Sequence, residues 1–249
     1  MPLYTTDALI LRTYQFGEAD CIVAFLTRDH GKKRGVANGA RRPKSRFGGG
    51  LEPLTLARLS YFERERRDLV RLSYAEPVRS PLLASDGDVL GYVEYFAELF
   101  DECAPEGDPN ASLFRLGAAV VETLTGNVSI DRLARYVEYW VLWLQGVYPS
   151  LLVCHACGGD AARGGRLDPA GDGFACVDCA HEKGLMLSAE SVRFLRAAAG
   201  TAPAAVSGLS LSVGAGRELE RAHRQLISVH LEKELRSFQV LRAMNPETS

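Results

Sequence analysis

Cys154-x-x-Cys157 and Cys176-x-x-Cys179 stand eighteen residues apart, and no other feature of the chain restricts its fold as tightly. Two thiolates separated by two residues reach one tetrahedral ion from a single tight turn, and two such turns complete four ligands. Between the pairs lie Gly158, Gly159, Gly164, Gly165, Gly171 and Gly173. Such a stretch allows tight turns but carries too few side chains for a core of its own. The spacing predicts a zinc module over residues 152–183, with one structural Zn2+ on Cys154, Cys157, Cys176 and Cys179. A closed four-thiolate site leaves no coordination position for a substrate, so the ion is expected to hold structure rather than catalyse. His155 and His181 adjoin the pairs and are spare ligands that a four-cysteine site does not require. A zinc hydrolase, with three ligands and a bound water, is the enzymatic alternative. In a cytoplasmic chain a disulfide framework ranks below a metal site.

The 249 residues on either side of this module follow two different hydrophobic periods. Residues 8–11, 21–26, 34–37, 54–61 and 68–74 read as short strands punctuated by glycine. Five strands at about ten-residue spacing beside a basic loop fit a small OB-fold barrel over residues 1–80. From residue 81 the period becomes helical. Val89, Tyr92, Val93, Phe96, Leu99, Phe100 and Cys103 share one helix face. Further helices are expected from Asn110 to Gly126, from Ser129 through Leu144, over residues 188–200, and as one long helix over residues 217–242. The fold class is thus α+β and multidomain: an OB-fold barrel (1–80), then a helical bundle in two parts (81–151 and 184–249) with the zinc finger inserted between them.

The formal net charge of −2 argues at first against a nucleic-acid partner, but it conceals a split. Residues 1–80 hold 15 Lys/Arg against 9 Asp/Glu, whereas residues 81–249 hold 14 against 22. Such asymmetry points to nucleic-acid contact. The basic charge is concentrated between Arg28 and Arg46, where eight Lys/Arg face one acid, Asp29. Within it, Lys44-Ser45 has the ending of a phosphate-binding P-loop, but Asn38 and Pro43 stand where that pattern needs glycine, so ATP binding is not supported. The better reading is backbone recognition. Lys32, Lys33, Arg34, Arg41, Arg42, Lys44 and Arg46 neutralise phosphates, and flexible glycines let the loop follow a strand. Phe47 and Phe16 are candidate stacking rings.

Elsewhere ordinary packing accounts for the conspicuous residues. Cys21 and Cys103 read as buried thiols, Trp140 and Trp143 as core or groove residues, and His223 and His230 as neighbours on one core-facing helix side. Asp86, Asp88, Glu94, Glu98, Asp101 and Glu102 read as a solvated acidic face, or as acids that screen the basic loop. No Ser/His/Asp or paired-carboxylate constellation emerges, so no enzyme is expected. No apolar run is long enough to span a membrane, and the first residues lack a signal-peptide pattern. A cytoplasmic protein is expected.

Several segments together resemble the RecO family of bacterial DNA repair proteins. They are Leu9-Ile10-Leu11-Arg12-Thr13, Gly17-Glu18-Ala19-Asp20, Leu26-Thr27-Arg28-Asp29-His30-Gly31-Lys32, Gly35-Val36-Ala37-Asn38-Gly39-Ala40-Arg41-Arg42, Lys44-Ser45-Arg46-Phe47 and Leu51-Glu52-Pro53. The cysteine pairs, Val229-His230-Leu231-Glu232 and Leu235-Arg236-Ser237 extend the likeness toward the end of the chain. The resemblance implies an OB-fold, a helical domain and an inserted zinc finger. It implies a nucleoid-associated recombination mediator that binds single- and double-stranded DNA and anneals complementary strands. It implies action with RecR to place RecA on strands coated by single-strand-binding protein (SSB), and contact with the acidic, hydrophobic SSB tail through the helical domain. The family's basic loop matches Lys32, Arg41, Arg42, Lys44 and Arg46. Arg132, Arg135 and Tyr139 are the expected tail contacts. An RNA-binding protein of the same build, or an adaptor whose basic loop meets an acidic protein, remain open alternatives.

Overall fold

A computed structural model describes residues 2–63, 69–83, 87–151, 153–168, 173–180 and 184–244. His181 and Asp86 lie outside the described residues, as does the side chain of Asp88. The chain forms two compact units, residues 1–127 and 128–249.

In the first unit, β1 (Leu3–Phe16), β2 (Asp20–Thr27), β3 (Gly31–Ala37), β4 (Leu56–Phe62) and β5 (Leu69–Arg79) close into an OB-like barrel in the order β1-β2-β3-β5-β4. All pairings are antiparallel except β3 with β5, which close the barrel in parallel. One long strand serves two neighbours. Leu3 to Leu9 pair with β4, Ala8 to Phe16 pair with β2, and a register shift between Ile10 and Arg12 bends β1 from one to the other. Ala8 and Ile10 point inward with Val23, Phe25, Leu59, Tyr61 and Leu72. Leu9 and Leu11 are equally buried but face outward. A strand covered on both faces loses its alternation, which is why 8–11 reads as a continuous apolar run.

The outer cover is α1 (Gly87–Cys103) and α2 (Ala111–Leu124), both packed on β1. Asn110 caps α2 as expected, its side chain accepting from the Leu113 N–H. At Gly117 a Cβ would stand 2.5 Å from Leu9 Cδ2, so any larger residue there would displace the end of the Leu9 side chain. The connection between the helices adds to β3: the Lys32 N–H donates to the Pro105 carbonyl, and the Gly107 N–H to the Lys32 carbonyl.

This arrangement relocates the acidic charge. Residues 81–127 contain one Lys/Arg and nine Asp/Glu, whereas residues 128–249 contain thirteen of each. The whole acidic excess therefore lies in the segment folded with the barrel, and the second unit is neutral. Glu98 and Asp101 are buried rather than solvated, because they pair with barrel cations.

The second unit holds α3 (Ile130–Leu144), a three-stranded sheet of β6 (Gly164–Leu167), β7 (Phe174–Cys176) and β8 (Leu185–Ser188), then α4 (Ala189–Ala199), α5 (Val213–Leu231) and α6 (Arg236–Met244). Strand β8 carries no sequence signal of its own. It pairs with β6, so the sheet of the cysteine segment runs into Ser188, whose hydroxyl then caps α4. Ser129 stands at the cap position of α3 without a side-chain cap bond. The single long helix expected over 217–242 is two. Glu232 turns left-handed (φ 54°) and ends α5, which lets Leu235, just before α6, and Phe238 and Leu241 on it turn inward. His223 is fully buried, whereas His230 is exposed, so the two are not joint neighbours of the core.

Inside this unit a polar chain crosses the helices. His223 Nδ1 lies 2.8 Å from Glu138 Oε2, the Tyr148 hydroxyl lies 3.1 Å from His223 Nε2, and Arg135 Nη2 lies 3.1 Å from Glu138 Oε1. Burial holds the His223 imidazolium below its ordinary pKa despite the neighbouring carboxylate.

Candidate functional site

The basic residues from Lys32 to Arg46 fall into two structural classes. Those on β3 are tied to acids. Lys32 is buried, with Nζ donating to the Asp101 carbonyl at 2.6 Å and lying 3.5 Å from its carboxylate. Lys33 pairs with Glu63 at 2.6 Å, and Arg34 with Glu106 at 2.9 Å. Lys32 is therefore corrected from a phosphate contact to a clamp between β3 and α1, since a buried and satisfied ammonium cannot reach a phosphate.

The loop cations differ. Arg41, Arg42, Lys44 and Arg46 are all exposed and, among the described residues, none has a carboxylate partner. The loop is also more ordered than its glycines suggest. Consecutive turns run through it: Arg42 N–H to Gly39 O, Ser45 N–H to Arg42 O, Gly48 N–H to Ser45 O and Gly50 N–H to Phe47 O. Its start leans on the β1–β2 turn. The Arg41 N–H donates to the Ala19 carbonyl at 3.0 Å, and the Gly39 N–H to Asp20 Oδ1 at 2.7 Å. Its end is pinned by Phe47 and Leu51, which enter the barrel core. Phe47 is 1% exposed, with Arg46 5.0 Å over its ring, so it anchors the loop and presents no face for a base. This corrects its expected stacking role. Phe16 is half-exposed, and so is Tyr14, which the sequence reading passed over. The signal for Tyr14 was the alternation Arg12-x-Tyr14-x-Phe16 on one strand.

The four cysteines come together. Their sulfurs all lie within 4.8 Å of one another, with Cys157 and Cys176 at 3.9 Å. At about 2.3 Å per Zn–S bond, a tetrahedral ion sets sulfur–sulfur edges of about 3.8 Å, so the set fits a metal of that kind. The turns supply N–H donors to sulfur: Cys176 N–H to Cys154 Sγ at 3.3 Å, and Gly159 N–H to Cys157 Sγ at 3.4 Å. Gly158 adopts φ 70°, the left-handed position that closes the first turn. Those peptide donors hold the Cys154 thiol down to about 6, whereas crowding against the other sulfurs pushes Cys179 up to about 12. Four thiols in this space cannot all ionise without a cation, and these four can hold a metal ion. His155 is exposed beside the cluster and is not part of it.

Arg132 and Arg135 meet at one pocket of about 230 Å³ in the second unit, lined also by Ser129, Leu211, Val213 and Arg217. Arg217 was not anticipated; it lies 82 positions beyond Arg135 and only the packing of α5 on α3 joins them. Tyr139 is not part of the lining. It packs edge-on against Trp140 and Tyr148. Among the described residues no helix is long and apolar enough to cross a membrane.

An OB-like barrel with a basic loop that meets no carboxylate among the described residues, and a second unit in which four cysteines gather closely enough to hold a metal ion, define a two-unit protein. The family model "Recombination protein O N terminal" matches residues 1–81, and "Recombination protein O C terminal" matches residues 84–239. The chain belongs to the RecO family. Its relatives include the DNA repair protein RecO of Geobacter sulfurreducens, 36% identical over 247 residues that cover 96% of this chain and 98% of that one. The DNA repair protein RecO of Pelotomaculum thermopropionicum is 32% identical over 244 residues, covering 97% and 94%. That of Koribacter versatilis is 37% identical over 180 residues, covering 71% and 72%.

Proposed function

We propose that this chain is a non-enzymatic DNA-binding mediator of recombinational repair. The observation that carries the reading is the loop of four exposed cations, Arg41, Arg42, Lys44 and Arg46, without carboxylate partners among the described residues, on the barrel of a chain that belongs to the RecO family. Such a loop grips phosphates with little sequence preference. It would serve single- and double-stranded DNA alike and reduce the repulsion between complementary strands as they anneal.

The other members of the pathway follow from the family. RecR joins to form the loading complex, and RecA is then placed on strands coated by SSB. The pocket is lined by Arg132 and Arg217 beside Leu211 and Val213, with Arg135 paired to Glu138 at its wall and the acids Asp131 and Glu220 also present, and its cations and apolar side chains are the groups that would receive the acidic, hydrophobic SSB tail. Cys154, Cys157, Cys176 and Cys179 would hold one Zn2+. Bound there, the ion supplies a covalent-strength tie between two turns that have little core of their own. An adaptor function, with the loop meeting an acidic face of RecR, would use the same exposed cations. The test is annealing of SSB-coated complementary strands by the whole chain. Acceleration that requires the SSB tail, and that is lost in Arg41→Ala/Lys44→Ala, is the expected result. Binding to RecR but not to DNA would favour the adaptor, and tighter binding to matched RNA would favour the RNA-binding alternative.

A further inference from the structure

We propose that Tyr14 and Phe16 form a stacking platform for the bases of single-stranded DNA, and that this platform gives a preference for unpaired strands that the basic loop alone cannot. The inference rests on the DNA-binding reading above and adds to it a separate site.

Arg12, Tyr14 and Phe16 alternate along β1 beyond its register shift, so their side chains share one face, the outside of the barrel. The partners across the strand are Ala24, Ile22 and Asp20. Among the described residues the cover lies at one end of this face. Arg12 is held there by Glu98 and Asp101 of α1, each at 3.3 Å, and Ala24 is buried. Past that point the cover stops: Tyr14 is 46% exposed and Phe16 49%. The row continues from Tyr14 through Ile22 to Val36, both half-buried, and ends on Arg71, which is exposed.

The rings are prepared rather than loose. The Arg12 guanidinium lies 5.9 Å from the centroid of Tyr14 and is itself fixed by the two acids, so the tyrosine is braced from one side. At the other end, Gly17 (φ 64°) makes the turn that follows Phe16.

The occupant follows from what adjoins the rings. The basic loop is bonded to the same turn, through Arg41 to Ala19 and Gly39 to Asp20. Exposed rings beside cations that have no acid partners among the described residues match a polyanion whose flat, apolar groups are accessible. A single strand offers both phosphates and free base faces, whereas a duplex keeps its base faces stacked inside. The loop therefore serves either form, and the platform serves only the unpaired one.

The test compares full-length wild type, Tyr14→Ala/Phe16→Ala, Arg41→Ala/Lys44→Ala and the exposed β5 control Val78→Ala. Binding is measured to a labelled oligothymidine, a duplex of equal length and the matching RNA strand. The aromatic double variant is expected to weaken single-strand binding about tenfold or more while duplex binding changes less than about twofold. The loop variant is expected to weaken both. A Phe16→Trp chain should show indole fluorescence quenched by the single strand and not by the duplex. Equal losses on single strand and duplex, no loss at all, or quenching only by a protein partner would overturn the platform. So would tighter binding of the RNA than of the DNA. If the loop variant loses binding and the aromatic variant keeps it, the platform fails alone. If wild type binds no DNA, the underlying reading fails with it.

Discussion

The Lys32 ammonium donates to the Asp101 carbonyl at 2.6 Å, joining residues 69 positions apart. Both side chains are almost wholly buried, and Arg12 reaches the same carboxylate at 3.3 Å. The pair turns a residue that charge alone assigns to phosphate binding into a fastening between barrel and helix. It also explains why a chain with a basic barrel carries so acidic a first helix. The acids of α1 occupy Arg12 and Lys32, whereas the loop cations meet no carboxylate among the described residues.

Lys32→Ala should therefore act on stability before it acts on binding. Removing the ammonium leaves the buried Asp101 carboxylate with Arg12 as its remaining cation, at a cost of up to about 3 kcal/mol. The expected outcome is a lowered melting temperature of the barrel unit, with DNA affinity unchanged at temperatures where the variant is folded. Calorimetry and a binding isotherm on the same sample check this.

Replacing Arg41, Arg42, Lys44 and Arg46 together by alanine should do the reverse. These side chains are exposed and make no ion pairs among the described residues, so the fold should be retained. Each lost phosphate contact lowers the slope of log affinity against log salt by about 0.7 on a single strand, so the slope should fall by about 3. Titrations at several salt concentrations give the slope directly.

The cysteine cluster predicts a metal-dependent second unit. With one metal per closed four-thiolate site, wild type is expected to hold about one zinc per chain, and Cys157→Ser to hold far less. Because the binding energy of such a site is folding energy, a chelator should lower the melting temperature of the second unit and leave the barrel transition in place. Metal analysis and a two-transition melt are the measurements. Unchanged zinc content in the variant would refute the four-cysteine site.

His223 predicts a loss of stability in acid. The group is buried, faced by Glu138 and Tyr148 with Arg135 beyond, and its folded pKa is depressed by desolvation. Below about pH 6.5 the unfolded chain binds a proton that the folded chain does not. Stability contributed by this group is thus complete above that pH. It falls by up to about 1.4 kcal/mol per pH unit as the pH drops from the unfolded toward the folded pKa. Denaturant titrations between pH 7.5 and 5 should show the decline, and His223→Gln should flatten it.

Local pattern made much of this protein legible. Short apolar runs punctuated by glycine place the five strands, Asn110 and Ser188 mark their helix starts, and C-x2-C spacing brings four sulfurs within 4.8 Å because two residues are enough for a turn. What local pattern cannot carry is pairing across the chain. Strand β8 has no signal until β6 offers it an edge, and the break at Glu232 serves apolar residues that must turn onto a core built elsewhere. The sequence by itself determined the barrel, the cysteine cluster and a surplus of basic charge near residue 40. Only the tertiary structure decided which of those charges are free. Lys32 and Arg46 are alike as symbols, but α1 brings a carboxylate to one and nothing to the other, and an ion pair depends on distance in space rather than on position in the chain.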